Sequence, residues 1–179
     1  GGGIIGCTIA RELSRYSLRA LVVEAANDIA CGTTKANGGL IHSGYDPAPG
    51  TMKSKVNARG NNLYSVWSKE LGFEFKRTGS MVLAFSQNDC VHLQTLLENG
   101  RANGVDGLEI IGRERIHELE PQASPDAIQA LYCPHTGIVD PFEVAIAAAE
   151  NAAANGVEFL FNAPVHSIEQ SGDSFILRT

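Results

Sequence analysis

The sequence lacks the patterns that mark metal-binding and membrane-spanning proteins. Its four cysteines include no CxxC pair, and its five histidines show neither HxxxH nor HExxH spacing. These absences disfavour zinc and iron–sulfur sites, so we expect no metal. No apolar run approaches the roughly 20 residues of a membrane-spanning helix, and no charged leader precedes an apolar stretch. We therefore expect a cytoplasmic protein, either free or peripheral to a membrane.

Clustered positive charge is also missing. The chain has 14 Lys and Arg against 20 Asp and Glu, a formal net charge of −6, and no basic cluster. Nucleic-acid binding needs concentrated positive charge to neutralise phosphates, so nucleic acid is excluded as a partner class. The 44% hydrophobic and 19% charged residues are typical of a globular protein with one sizeable core and part of a second.

The two ends of the sequence predict a fragment. The chain has no initiator methionine and begins at Gly1, inside a motif that normally follows a buried strand. At the other end, residues 174–178 predict a strand that stops with no partner after it. We therefore expect a fold truncated at both ends.

A glycine-rich motif opens the chain. Gly1, Gly3 and Gly6 occupy the three required positions of GxGxxG, and Ala10 adds a small residue one helical turn later. A short apolar run follows and ends at Glu24, 18 residues beyond Gly6. The glycines permit a tight turn, a close approach of backbone to a pyrophosphate, and helix packing against a sheet. Glu24 can accept hydrogen bonds from ribose hydroxyls and repels a 2′-phosphate, which disfavours NADP. These features together predict a dinucleotide site.

Hydrophobic periodicity predicts the elements around this motif. Ile5, Ile9 and Leu13 form an apolar stripe that predicts the first helix packed on a sheet. A long helix is predicted after Thr51 and stops at Gly72; its apolar positions at helical spacing, among them Met52, Val56 and Val66, predict its buried side. Further predicted strands cover 73–76, 80–85, 108–111, 130–133 and 157–161, predicted helices cover 89–102 and 113–119, and 165–168 with 175–177 predict an antiparallel ribbon. Asp140 as N-cap and Pro141 predict a last helix to about Ala154.

A second stretch of small and polar residues decides between cofactors. The glycine loop fits NAD as well as FAD, but FAD is longer than one βαβ unit can hold. Residues 31–44 are rich in Thr, Asn and Gly and also contain Ile41 and His42, which an ordinary surface loop would not usually carry. No YxxxK pair of the short-chain NAD dehydrogenases occurs. The pattern therefore favours FAD.

Three motifs carry a family resemblance. The segments GTTKAN (32–37), GLIHSGY (39–45) and PGT (49–51) resemble the D-amino-acid-oxidase-type FAD-dependent oxidoreductases, closest to glycerol-3-phosphate dehydrogenases and L-2-hydroxyglutarate oxidases. GIVDP (137–141) is similar to the motif where that family's chain re-enters the FAD domain. The resemblance implies an α/β fold with a Rossmann-like, GR2-type FAD-binding domain formed by 1–72 and 134–179. It also implies an inserted α+β substrate (cap) domain over 73–133.

The resemblance extends the cofactor site beyond the glycine loop. It implies that Thr33, Thr34 and Asn37 line the pyrophosphate and the ribityl chain. It places the segment 39–42, beginning with Gly39, along the isoalloxazine, and the backbone of Val165 against adenine. Ala25 departs from the family, which often has a basic residue after the ribose acid. The cofactor-binding residues expected from the motif and the resemblance are Gly1, Gly3, Gly6, Glu24, Thr33, Thr34, Asn37, Gly39 and Val165.

His42 is the candidate catalytic residue. Its imidazole can take a hydroxyl proton while hydride passes from the same carbon to flavin N5. The alternative is a histidine that hydrogen-bonds backbone and shapes the flavin pocket. Tyr45, Lys53 and Arg59 can face an anionic substrate, but the two cations lie on an amphipathic helix, where solvated charges are commoner.

We therefore expect an FAD-dependent dehydrogenase or oxidase acting on the CH–OH group of a small anionic substrate, either glycerol 3-phosphate or a 2-hydroxy acid. Its electron acceptor would be oxygen, a quinone or a downstream iron–sulfur domain. Two alternatives stay open: an amine or amino-acid oxidase of the same fold, and a non-catalytic nucleotide-binding module.

Overall fold

The computed structural model describes residues 1–179. Its helices are α1 (Ile4–Leu13), α2 (Met52–Leu71), α3 (Gln87–Ala102), α4 (Arg113–Leu119) and α5 (Pro141–Ala154). Its strands are β1 (Leu21–Val23), β2 (Leu40–Ile41), β3 (Phe75–Lys76), β4 (Ser80–Ala84), β5 (Glu109–Gly112), β6 (Gln129–Cys133), β7 (Gly137–Val139), β8 (Glu158–Leu160), β9 (Ser167–Ser171) and β10 (Ser174–Arg178). None of the helices combines the length and the apolar character needed to cross a membrane.

The chain forms two compact units. Unit 1 comprises Gly1–Gly39, Glu70–Glu74 and Val139–Thr179, and unit 2 comprises Leu40–Lys69 and Phe75–Ile138. This division differs from the predicted 1–72, 73–133 and 134–179. Most of α2 lies in unit 2 because Asn61, on that helix, binds backbone carbonyls within unit 2, and β2 lies there because it pairs with β7.

Unit 1 has a parallel strand pair beside a pair of packed helices. β1 runs parallel to β8, with Leu21 opposite Glu158 and Val23 opposite Leu160. The buried side of α1 presents Cys7 and Ala10, which cluster with three alanines of α5 (Ala148, Ala149 and Ala152). Small side chains on both helices let the two backbones approach closely. β9 and β10 form the predicted antiparallel ribbon.

The predicted packing of α1 is wrong in its choice of face. Ile5 and Ile9, which the sequence placed on the sheet, are 73% and 54% exposed, and Leu13 is also exposed. The helix instead turns the small residues Cys7 and Ala10 toward the alanines of α5.

The start of α5 follows the sequence prediction. Asp140 is the N-cap, and its carboxylate accepts a hydrogen bond from the backbone N–H of Phe142 at 2.8 Å. Pro141 is the first helical residue, where its missing N–H costs nothing. The helix ends at Ala154, as predicted, and Gly156 follows with φ +91°.

Unit 2 is built on the antiparallel sheet β4-β6-β5. Alternate residues point to opposite faces of a strand, so Leu131 and Ala130 of β6 enter different clusters. Leu131 packs with Leu93, Leu96 and Leu97 of α3. Ala130 packs with Ile116 of α4 on the other face. A second sheet, in the order β2-β7-β3, belongs mainly to the same unit.

α2 has the predicted extent but not the predicted burial. It ends at Leu71, directly before Gly72, whose φ of +80° stops the helix. Met52, Val56 and Val66, which were expected on its buried side, are exposed. Its fully buried residues are instead the polar Ser54 and Asn61. The predicted strand over 73–76 is confined to Phe75–Lys76.

Candidate functional site

The glycine loop meets the start of α1 within unit 1. Gly3 is the N-cap, and the first helical hydrogen bond runs from the N–H of Cys7 to the carbonyl of Gly3 at 2.9 Å. A Cβ on Gly6 would lie 1.8 Å from the carbonyl oxygen of Gly1. No side chain fits that gap, so glycine at this position is required by contact between the helix and the loop before it.

Glu24 lies beside this loop, directly after β1. Its carboxylate accepts hydrogen bonds from the backbone N–H of Ala26 at 2.8 Å and from that of Gly2. The hydrogen bond from Ala26 has the larger effect and that from Gly2 the next; together they hold the pKa of Glu24 below its ordinary value. The side chain is therefore ionised at neutral pH. An ionised carboxylate has about four lone-pair positions, which leaves acceptors for two ribose hydroxyls.

Thr34 also contacts the loop. Its buried hydroxyl accepts a hydrogen bond from the N–H of Ile4 at 3.0 Å, which satisfies one of the free amides in the first turn of α1. A Cβ on Gly3 would lie 3.2 Å from the same hydroxyl oxygen. The structure therefore brings Gly3 and Thr34, predicted from separate motifs, into direct proximity.

Asn37 and Gly39 shape the rest of this segment. The Asn37 side chain donates to the carbonyl of Thr34 at 2.6 Å and accepts from the N–H of Gly39 at 2.8 Å. Gly39 has φ +65°, and a Cβ there would lie 2.1 Å from the carbonyl oxygen of Val139. Thr33 is exposed, and Val165 is exposed in the connection between β8 and β9. That these residues line FAD stays a prediction.

The residues gathered in unit 1 fit a diphosphate-bridged nucleotide. The first turn of α1 carries no acidic residue, so the positive end of the helix dipole is not neutralised by its own side chains. The Gly2 and Ile4 amides are taken by Glu24 and Thr34, and the glycines let phosphate oxygens approach the remaining amides of the loop and first turn. Glu24 can supply an acceptor for ribose. Gly1, Gly3, Gly6, Glu24 and Thr34 thus form one cradle, which we call the dinucleotide cradle.

His42 lies in unit 2, immediately after β2. Its imidazole is exposed and makes no hydrogen bond within the chain. Its backbone carbonyl accepts a hydrogen bond from the side-chain amide of Asn61 at 3.2 Å. The imidazole makes no hydrogen bond to backbone, and both a catalytic role and a pocket-shaping role for His42 stay predictions.

Residues that follow His42 are held by buried polar contacts in unit 2. The hydroxyl of Ser43 accepts hydrogen bonds from the thiol of Cys133 at 3.0 Å and from the hydroxyl of Thr136 at 3.4 Å. Tyr45, considered as a substrate contact, is buried in the cluster around Leu93, with its hydroxyl 3.5 Å from that of Ser80. Its ring is part of the hydrophobic core of unit 2.

The remaining charged candidates lie at the surface. Lys53 forms an exposed ion pair with Asp46 at 3.5 Å, and Arg59 is exposed. The side chains bring together no group of three or more His, Cys, Asp or Glu that could hold a metal ion. The four cysteines are free thiols.

Two residues near His42 were missed by the sequence analysis. Asn61 falls inside an amphipathic helix and Arg77 follows a short strand, and neither position belongs to a motif. The structure joins them, because Arg77 donates to the Oδ1 atom of Asn61 at 3.0 Å. Asparagine is unfavourable in the middle of a helix, but the sequence shows neither the burial of Asn61 nor its partners.

The glycine loop, the helix dipole and the ionised acid beside them define a dinucleotide-binding protein of the α/β class. The family model described as FAD dependent oxidoreductase (DAO) matches residues 1–179, and the chain belongs to this family. The family predicted from the loop motifs is therefore confirmed.

Named relatives are similar over nearly all of this chain. A glycerol 3-phosphate dehydrogenase of Caloramator mitchellensis is 46% identical over 170 residues, which are 95% of this chain and 35% of the relative. The mitochondrial L-2-hydroxyglutarate dehydrogenase of Homo sapiens is 37% identical over 176 residues, which are 97% of this chain and 38% of the relative.

Solved structures show the same fold. The L-α-glycerophosphate oxidase of Mycoplasma pneumoniae, solved in a dithionite-reduced state with FAD bound, superposes with a TM-score of 0.95 at 31% identity. The match covers 99% of this chain and 47% of that one. An L-proline dehydrogenase of P. horikoshii matches with a TM-score of 0.85 at 28% identity, over 98% of this chain and 46% of that one. The chain thus spans less than half the length of these relatives.

Proposed function

We propose that this chain is part of an FAD-dependent enzyme that oxidises a CH–OH group of a small anionic substrate, either glycerol 3-phosphate or a 2-hydroxy acid. The observation that carries the proposal is the 46% identity to a glycerol 3-phosphate dehydrogenase over 95% of the chain. The similarity to an L-2-hydroxyglutarate dehydrogenase keeps a 2-hydroxy acid as the other substrate class.

The dinucleotide cradle would hold the cofactor. The free amides at the start of α1 would bind the diphosphate, and ionised Glu24 would accept hydrogen bonds from the ribose. Thr34 keeps the loop and the helix start together by binding the N–H of Ile4. FAD held there would supply the hydride acceptor for the substrate carbon, which is chemistry that no side chain supplies.

His42 is proposed as the proton acceptor. As the C–H bond of the substrate breaks with its electron pair, the hydroxyl proton passes to the imidazole and the carbon becomes a carbonyl carbon. The exposed imidazole, which has no hydrogen-bond partner in the chain, has both ring nitrogens available for this role. The carbonyl of the same residue is held by Asn61, so the backbone below the imidazole is fixed.

A second candidate is oxidation of a CH–NH group. The match to an L-proline dehydrogenase favours it, since hydride leaves the carbon next to nitrogen in the same way. At 28% identity this match is weaker than the 46% match to a glycerol 3-phosphate dehydrogenase.

A substrate panel tests the proposal. Glycerol 3-phosphate, L-2-hydroxyglutarate, L-proline and glycine are added without oxygen to the purified holoenzyme and to its His42→Asn variant. We expect one of the two hydroxyl compounds to bleach the flavin absorbance of the wild type. The variant should retain its FAD and bleach about 100-fold more slowly. Bleaching by L-proline or glycine alone supports amine oxidation, and bleaching by none supports a non-catalytic nucleotide-binding module. Equal loss of FAD and of rate in the variant contradicts the catalytic role of His42.

A further inference from the structure

Asn61 lies at the meeting point of two segments of unit 2 that are far apart in sequence. Its side chain is 4% exposed. The Nδ2 amide donates to the carbonyls of Ile41 and His42, each at 3.2 Å, and to the carbonyl of His135 at 3.0 Å. Three backbone carbonyls therefore converge on one amide, two of them from the segment that carries His42.

Arg77 fixes the orientation of this amide. Its Nη1 atom donates to Oδ1 of Asn61 at 3.0 Å and also to the carbonyl of His135. A guanidinium can only donate and a carbonyl can only accept, so Oδ1 must face Arg77 and Nδ2 must face the carbonyls. Arg77 is itself held by the hydroxyl of Ser65 at 2.8 Å and by the ring of Phe75, whose centroid lies 5.1 Å from its Cζ atom.

These contacts restrain the backbone beyond the end of the sheet. β2 ends at Ile41, which pairs with Gly137 of β7. The sheet therefore does not restrain the next residue, His42. Asn61 extends the restraint by one residue, to the carbonyl of His42, where the sheet has ended. The position of the His42 imidazole depends on the backbone that this bond holds.

We propose that Asn61, oriented by Arg77, is a positioning residue that holds the backbone of His42 for proton transfer. The inference rests on the proposed function in assigning the proton transfer to His42. The restraint on the carbonyls of Ile41, His42 and His135 can be measured whether or not that function holds.

Asn61→Asp is the most informative variant because the two side chains have nearly the same volume. One carboxylate oxygen keeps the contact with Arg77, while the other replaces a donor by an acceptor against three carbonyl oxygens. Asn62→Asp is the matched control: it makes the same change of charge at the next residue of α2, where the side chain is exposed. Asn61→Ser removes the amide without adding charge and serves as a second variant should Asn61→Asp fail to fold.

The experiment measures kcat, KM, FAD content and backbone hydrogen exchange on the purified holoenzymes. For Asn61→Asp we expect kcat to fall by about 10- to 100-fold with KM changed by less than about twofold, because the reacting group is displaced without loss of substrate contacts. FAD content stays at the wild-type level, and exchange accelerates only in residues 40–45 and 134–137. Asn62→Asp matches the wild type in every measurement.

Three results overturn the inference. The first is a kcat of Asn61→Asp equal to that of Asn62→Asp. The second is a parallel loss of kcat and FAD with faster exchange along the whole chain, which indicates general destabilisation. The third is unchanged exchange in residues 40–45. If the wild type oxidises no hydroxyl substrate, the proposed function fails, and the exchange data alone still decide whether Asn61 restrains this segment.

Discussion

Glu24 was predicted from the sequence motif, and its hydrogen bonds in the structure explain its charge. The spacing from Gly6 predicted an acid at the end of the second strand of a dinucleotide site. The structure adds the hydrogen bonds from Gly2 and Ala26, which lower its pKa and tie the acid to the glycine loop. Glu24 therefore stabilises the loop, and under the proposed function its charge would face a ribose.

The lowered pKa of Glu24 predicts a pH-dependent contribution to stability. A depressed folded-state pKa means that the stabilisation is present above the ordinary value, about 4.3, and is lost as the pH falls through the folded-state pKa. At pH 7 the holoenzyme should have a higher Tm and hold FAD more tightly than its Glu24→Gln variant. The difference in Tm should shrink as the pH falls below about 4.3.

Glu98→Gln is the control for this comparison, since it removes an exposed carboxylate on α3 and should leave Tm unchanged. Thermal denaturation followed between pH 7 and about 3.5 measures both variants across the relevant range. A Tm difference for Glu24→Gln that stays constant over this range would show that the ionised carboxylate contributes nothing.

Single residues differ in how far the sequence could predict them. Gly6 was predicted from its motif, although a side chain there would collide with the Gly1 carbonyl and not with a sheet. Asn61 could not be predicted, because its partners are backbone carbonyls of residues 41, 42 and 135. Backbone carbonyls exist at every position, so only the fold reveals which of them converge on a side chain.

At the scale of elements, local signals predicted boundaries well and predicted burial less well. Capping and glycine signals at Asp140, Pro141 and Gly72 placed the start of α5 and the end of α2 correctly. The apolar stripe of α1 predicted the wrong buried face, because the contact with α5 selects small residues. Periodicity reports where apolar residues lie on a helix, whereas the partner element decides which face is closely packed.

The N-cap of α5 offers a test at this scale. Asp140→Ala removes the acceptor of the Phe142 N–H and should lower the free energy of unfolding by about 1 kcal/mol. Asp140→Asn keeps an acceptor at the same place and should stay within a few tenths of a kcal/mol of the wild type. Urea denaturation of the holoenzymes measures both variants, and equal stability of the two would show that the cap hydrogen bond is not the source of the effect.

For the whole molecule, the family was predictable from the sequence, and the division into an FAD-binding domain and a cap domain stays a prediction. Glycines and small polar residues at fixed spacing identified the FAD-dependent oxidoreductases, because close approach of backbone to a cofactor restricts residue type at each position. The predicted boundary at residue 72 followed the end of α2. Most of that helix belongs to compact unit 2, where Asn61 makes a long-range contact that the sequence does not reveal.

Under the proposed function, a C–H bond at a hydroxyl-bearing carbon is broken as the flavin is reduced. The most direct measurement is anaerobic stopped-flow reduction of the holoenzyme by glycerol 3-phosphate and by L-2-hydroxyglutarate, each with hydrogen or deuterium at that carbon. We expect one of these substrates to reduce the flavin, and its deuterated form to do so several-fold more slowly. Failure of both substrates to reduce the flavin, or equal rates for the two isotopes at saturating substrate, would contradict the proposed function.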